Sequence, residues 1–205
     1  MNTTNEQHFI SDLKKQCQEH DIELFIGRGS KVQCGGGYSA GYFSYETKRL
    51  AVAKNIKYNL FLPILVHESC HFDQYLEDCT IWQKYDKMDF NYKFDDIING
   101  KTPINANSFC RTVAKLEWDC EKRAVAKIKK YNLDIDIREY SKQANAYIYF
   151  WLHLPKIGKW YSKGRKAPYV QKQLLKVCNP EIDIKFNHEI PDKVLSKLNL
   201  IYKTS

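Results

Sequence analysis

The sequence lacks the paired cysteines that mark a disulfide framework or a cysteine-built zinc ribbon. No C-x-x-C motif occurs, and the cysteines are odd in number. We therefore expect reduced thiols, most of them buried. The seven cysteines stand at positions 17, 34, 70, 79, 110, 120 and 178.

Long hydrophobic runs are also missing, so no segment predicts a membrane span. The start of the chain, Met1–His8, is polar and has neither the basic residues nor the apolar stretch of a secretion signal. The glycines between positions 27 and 37 indicate a flexible turn region and do not match a phosphate-binding loop. These absences favour a cytoplasmic protein without a membrane partner.

Length and composition favour a single globular domain over residues 1–205. The 205 residues are 43% hydrophobic and 27% charged. The net charge of +8 is uneven, with 20 Lys and Arg against 10 Asp and Glu after residue 106, and 12 against 14 before it. The C-terminal half, which includes a basic helical part at about 155–205, could face an acidic partner or nucleic acid. Because its lysines are dispersed, they could equally form solvated helix faces.

Periodicity predicts an α+β fold, mainly helical, with a small antiparallel sheet. We expect an irregular insertion at 79–106, and the edge of the sheet could accept an extended peptide as an added strand. Helices are predicted near 6–19, 62–76, 108–130, 137–152, 168–177 and 191–198, a strand at 22–26, and a hairpin of 41–45 with 49–54.

The most informative motif is H-E-x-x-H, formed by His67, Glu68 and His71 within an apolar segment. On a helix, the two histidines project from one face, where both imidazoles could bind a single metal ion. Glu68 lies one step around the helix and could reach a water on that metal. The alternative is a buried amphipathic helix whose histidines pair with Glu or backbone groups.

A catalytic zinc needs a third protein ligand from another element. Glu117 and Glu121 lie one helical turn apart and border the apolar stripe of the long predicted helix. Acids at the margin of a buried stripe are costly unless a cation or hydrogen bonds compensate them. His153, in an apolar stretch, is the alternative ligand, and an ordinary surface acid pair is the alternative for the two glutamates.

Together, the H-E-x-x-H motif and the Glu117-x-x-x-Glu121 pair resemble the gluzincin branch of the zincin metallopeptidases. In this branch a later helix supplies a zinc-binding Glu, and thermolysin-like members carry an acid four places further on. The resemblance implies a zincin-like fold and a Zn²⁺ cofactor, with Glu117 as the ligand and Glu121 as the acid that supports a ligand histidine. Glu121 stands where the usual residue is Asp, and the two roles could be reversed.

The resemblance also implies an intracellular peptidase in which Glu68 is the general base, acting on a protein or peptide. Small proteins of this type occur in bacteria, phages and mobile elements. The alternative function is a catalytically weak regulatory module that binds protein or nucleic acid through its basic C-terminal half. A non-peptide amide hydrolase also stays open. Candidate donors to the oxyanion are Tyr140, Tyr147, Tyr149 and His153.

Overall fold

The computed structural model describes residues 4–35, 37–56, 60–88, 94–97, 99–101, 105–158 and 167–203. The helices are α1 (Asn5–Glu19), α2 (Phe61–Leu76), α3 (Thr80–Asp86), α4 (Ala106–Lys130), α5 (Ile137–Ile157), α6 (Lys172–Leu175) and α7 (Asp192–Lys203), with a 3₁₀ turn at Pro168–Val170. The strands are β1 (Glu23–Gly27), β2 (Val32–Cys34), β3 (Gly37–Ser39), β4 (Gly41–Ser44) and β5 (Arg49–Ala53). The predicted α+β class is confirmed.

The three-stranded sheet is mixed, so the predicted antiparallel sheet is wrong in part. Its order is β1-β5-β4, with β5 parallel to β1 and antiparallel to β4. Residues 50–53 of β5 are almost completely buried, whereas β1 alternates between exposed and less exposed positions. A strand buried on both faces belongs in the centre of a sheet, which explains why β5 pairs on both sides.

Three local predictions need correction. Strands β2 and β3 pair antiparallel within the region predicted as a flexible turn, and α3 lies in the segment expected to be irregular. The remaining residues of that insertion lie partly outside the described ranges. Helix α5 continues through Pro155 to Ile157, although we predicted that it would end before this proline. A proline so close to the end of a helix removes only one of the last backbone hydrogen bonds.

The described residues divide into two compact units, residues 1–79 with 122–136 and residues 80–121 with 137–205. Helix α4 is continuous and contributes residues to both. The predicted single domain over 1–205 stays a prediction.

In the first unit, α2 packs against β4 and β5. The last turns of α4 are joined to α2 by Lys127, whose Nζ lies 2.7 Å from Asp73 Oδ2 and donates to Ser69 Oγ at 2.9 Å. Gln16 of α1 donates to the other oxygen of Asp73 at 3.3 Å. Because Lys127 and Asp73 are both largely buried, this network fixes the face of α2 that carries Ser69 and Asp73.

In the second unit, two apolar clusters meet on α5. Phe109, Cys110 and Val113 of α4 pack with Phe150 and Leu154. The opposite side of α5 packs against α6 and α7. The loop that contains Asn179 and Glu181 is anchored to α5 by Asn145, whose Nδ2 donates to the two backbone carbonyls at 2.9 and 2.8 Å. The apolar stripe predicted for α4 is buried along its whole length, whereas the one predicted for α5 is buried at Ala144 and Trp151 and only partly buried at Tyr140 and Tyr147.

None of the described helices combines the length and apolar character needed to cross a membrane. All seven cysteines lie in the described part of the chain, and none forms a disulfide. Five are buried, and Cys34 and Cys79 are partly exposed. The prediction of unpaired, mostly buried thiols is confirmed.

Candidate metal centre

The two motif histidines converge on one point. His67 and His71 occupy successive turns of α2, and their Nε2 atoms lie 3.2 Å apart, with the rings nearly perpendicular at 88°. Apolar residues on both sides make the segment a helix, and Pro63 is accommodated in its first turn, where its missing N–H costs nothing. Both imidazoles can therefore point a nitrogen at a shared ligand.

Gln74 fixes the orientation of the second imidazole. Its Oε1 lies 2.8 Å from Nδ1 of His71, and the side chain is completely buried. An amide oxygen only accepts hydrogen bonds, so Nδ1 carries the proton and the lone pair is on Nε2. This tautomer is the one that binds metal through Nε2, which makes Gln74 a support for the site. Sequence reasoning missed Gln74, although its place three residues after His71 is a helical neighbour position.

Glu68 is buried between α2 and the sheet, with 8% of its surface exposed. A Cβ added at Gly41 would lie 3.2 Å from Cγ of Glu68 and 2.6 Å from Cγ2 of Ile64. Only glycine fits there, because a side chain would overlap both residues. Burial and the negative charge of Glu68 together raise the pKa of the Cys34 thiol, which places Cys34 within electrostatic reach of the carboxylate.

Glu117 and Glu121 are buried in α4, with 8% and 5% of their surfaces exposed. The hydroxyl of Tyr140, on α5, donates a short hydrogen bond to Oε2 of Glu121. Two carboxylates one turn apart in a buried position repel each other and lose hydration, which is costly without a compensating cation. The expectation that these acids border a buried stripe is confirmed.

Two sets of ligand-type residues could hold a metal ion, and both contain His67. One set is His67, His71 and Cys120, and the other is His67, Glu117 and Glu121. Within each set the ligand atoms all lie within 4.8 Å of one another. The predicted ligands His67, His71 and Glu117 are thus divided between two overlapping sets. Cys120 was not foreseen, because a lone cysteine in an apolar stripe resembles any core residue.

The remaining sequence candidates lie elsewhere among the described residues. His153 belongs to neither metal-ligand set; it is buried in α5, where a hydrogen bond from its side chain joins Asn199. Tyr149 is buried, which raises its pKa to about 12, and the ring of Tyr147 packs edge-on against Tyr169. Tyr140 donates a hydrogen bond to Glu121, which ties this candidate donor to a metal-ligand set.

Comparisons with protein-family models, curated proteins and solved structures gave no match to this chain.

Proposed function

We propose that the protein is a zinc-dependent metallopeptidase with a gluzincin-like site. The observation that carries the proposal is the convergence of His67 Nε2 and His71 Nε2 at 3.2 Å, together with a set of His67, Glu117 and Glu121 ligand atoms within 4.8 Å. In this proposal the two histidines and Glu117 bind the ion. Glu121 positions His67 and is itself held by Tyr140.

The donor chemistry fits zinc. Imidazole nitrogens with one carboxylate are a common ligand set for catalytic zinc, and such a set leaves one position open. Oxygen-only ligands would instead favour magnesium or calcium. Zinc bound at this position would supply a Lewis acid that polarises a scissile carbonyl and lowers the pKa of water towards neutrality.

Glu68 is the proposed general base. A carboxylate at this place on α2, one residue after His67 and three before His71, can accept a proton from the attacking water and later donate it to the leaving amine. The side chain is largely buried between Ile64 and Gly41, which restricts its rotamers. A positioned, poorly hydrated carboxylate is a stronger base towards water than an exposed one.

The sheet offers a place for the substrate. Strand β4 is at the edge of the β1-β5-β4 sheet, and none of the described strands pairs with its outer side. Helix α2 packs against β4, and Glu68 contacts Gly41 at the beginning of this strand. An extended peptide added along β4 would bring a peptide bond past Glu68, with main-chain hydrogen bonds supplying affinity independent of sequence.

Replacing Glu68 by Gln tests the proposal, since the amide keeps the shape of the side chain but cannot accept the proton. We expect Glu68→Gln to retain one zinc per chain and to cleave denatured, dye-labelled casein about 10² to 10⁴ times more slowly than wild type. His67→Ala should lose both zinc and activity. Zinc is measured by atomic emission, and cleavage by release of dye.

Two results contradict the proposal. If Glu68→Gln cleaves casein as fast as wild type, Glu68 is not the base. If the wild-type protein, refolded with zinc and dialysed, holds none, the metal centre itself is wrong. The absence of zinc is the result expected if His67 and His71 are only a buried structural pair.

A further inference from the structure

A cavity of about 670 Å³ lies within the second unit, and its lining is strongly basic. Lys84 of α3, Arg111 and Lys115 of α4 and His188 all line it, and all four are exposed. None of the described residues that line it is acidic. We name it the basic cavity, defined by these four residues.

The three permanent charges of the basic cavity, on Lys84, Arg111 and Lys115, have no ion-pair partner within the part of the chain that the structure describes. Elsewhere in the chain, cations such as Arg123 and Lys142 lie within 2.7 Å of a carboxylate. The basic cavity therefore differs from the ordinary charge-balanced surface of this protein.

The arrangement is unfavourable unless an anion binds. Arg111 and Lys115 are four residues apart on one helix, where like charges destabilise the folded state. They lie near the N-terminal end of α4, whose first residues, 106–108, also line the cavity. Because backbone N–H groups give this end of a helix a partial positive charge, it attracts anions and repels the two cations. An anionic ligand would relieve both repulsions.

The rest of the lining suits a nucleotide. Asn107 and Thr112 offer hydrogen-bonding side chains, whereas Ile81 and Pro155 offer apolar surface to a base or sugar. The ring of His188, packed edge-on against Phe186 at 4.6 Å between centroids, presents a further flat surface. Arg111 can bind a phosphate through two parallel hydrogen bonds, a geometry that Lys does not match.

We propose that the basic cavity binds the phosphate and adjoining nucleoside of a nucleotide. Two ligands carry these groups: a single-stranded nucleic acid that lies across the cavity, and a free mononucleotide. The cavity lining contains none of the proposed metal ligands, so the site would give the chain a binding activity distinct from hydrolysis.

Charge reversal at two matched pairs tests the proposal. Arg111→Glu with Lys115→Glu removes the cavity charges, and Lys172→Glu with Lys176→Glu makes the same change in net charge. The control pair has the same four-residue spacing, lies in the same basic half and is exposed but outside the cavity. Binding of a fluorescent oligothymidylate is measured by anisotropy between about 50 and 200 mM salt.

We expect the cavity pair to weaken oligothymidylate binding about tenfold or more, and the control pair about twofold or less. The plot of log affinity against log salt should flatten by about 1.4 for the cavity pair, since each phosphate contact with a single strand contributes about 0.7. Arg111→Gln with Lys115→Gln should show the same direction, which guards against misfolding caused by the new acids. Glu68→Gln should bind as wild type does.

Competition with unlabelled ligands shows whether the cavity binds a free nucleotide or a nucleic acid strand. Displacement by thymidine monophosphate at comparable concentration supports a free nucleotide, and displacement only by unlabelled oligothymidylate supports a nucleic acid strand. Three results overturn the proposal: no binding of either probe, equal weakening by the two charge-reversed pairs, or displacement by a polyglutamate peptide as effective as that by the oligonucleotide. The last result would assign the cavity to an acidic protein partner.

Discussion

Nε2 of His71 faces Nε2 of His67 at 3.2 Å, while its other ring nitrogen lies 2.8 Å from the buried amide oxygen of Gln74. The contact with Gln74 determines which nitrogen of His71 is free to bind a metal ion. Without an acceptor at Nδ1, the proton could reside on either nitrogen of His71. The amide oxygen selects the tautomer whose Nε2 lone pair points towards His67.

Gln74→Leu should therefore weaken zinc binding without altering the ligands themselves. Loss of a hydrogen bond that orients a ligand imidazole lowers metal affinity about 10- to 100-fold. Competition with a chromogenic zinc chelator measures this change. Gln74→Glu is the matched variant, because a carboxylate also accepts from Nδ1 and should retain most of the affinity. Equal zinc affinity in wild type and Gln74→Leu would contradict the role of Gln74.

The two overlapping ligand sets lead to a second prediction, about α4. If Glu117 binds the metal, Glu117→Gln should release zinc, whereas Glu121→Gln should weaken binding by about 10- to 100-fold through loss of support for His67. Cys120→Ala should leave zinc content unchanged. All three substitutions are on one helix and preserve or reduce volume, so they act as controls for one another.

Metal content of the three purified variants, with Tm measured before and after addition of zinc, separates the alternatives. Loss of zinc from Cys120→Ala, with retention by Glu117→Gln, would establish the cysteine set and exclude the gluzincin-like one. Loss from Glu121→Gln alone would reverse the two glutamate roles.

The sequence predicted the parts of this centre that depend on local spacing. A separation of four residues puts His67 and His71 on one face of any helix, and a separation of four does the same for Glu117 and Glu121. Gln74, Gly41 and Cys120 were not predicted, because an amide, a glycine and a thiol acquire their roles only from neighbours that folding brings close. A glycine in a strand can mark a close approach of another element, and Gly41 was the available signal.

The same distinction applies to the fold. Helix and strand positions follow from periodicity, and the β4-β5 hairpin follows from its short connection. The parallel pairing of β1 with β5 joins strands that are separated in the chain by the β2-β3 hairpin and by β4. The alternation of residues within one strand does not show which strand it pairs with. The prediction that α5 ends before Pro155 is wrong, since the helix continues for two residues beyond this proline.

A third prediction concerns Gly41, where any side chain would contact Ile64 and Glu68. A Cβ at this position would lie 2.6 Å from Ile64 Cγ2, so Gly41→Ala should lower the free energy of unfolding by about 1 to 3 kcal/mol. Displacement of Glu68 should also lower kcat for casein cleavage while zinc stays bound. Urea denaturation and metal content give the two readouts.

Gly37→Ala is the matched control. Among the described residues, a Cβ at Gly37, also in a strand, would meet nothing nearer than the carbonyl oxygen of Cys34 at 3.9 Å. This variant should unfold within about 0.5 kcal/mol of wild type and retain activity. If Gly41→Ala is as stable and active as Gly37→Ala, the close contact between β4 and α2 is not a constraint on Glu68.

The last prediction is a pH dependence of stability that originates at His153. Burial lowers the pKa of this imidazole below 6.5, the positive charge of Lys156 lowers it further, and the hydrogen bond with Asn199 opposes both. The folded state therefore favours the neutral ring, and the unfolded chain binds more protons as pH falls below 6.5. Stability is fully present above pH 6.5 and is lost progressively as the pH falls from there towards the folded-state pKa.

Urea unfolding at several pH values between about 7.5 and 5 measures the slope of this loss. His153→Gln, which keeps a polar group facing Asn199, should show a smaller slope than wild type, even though its stability at pH 7.5 is lower. Lys156→Gln, at an exposed position, should reduce the slope partially, because removal of the positive charge raises the pKa of His153 towards its ordinary value. A slope in His153→Gln identical to that of wild type would assign the acid sensitivity to other groups.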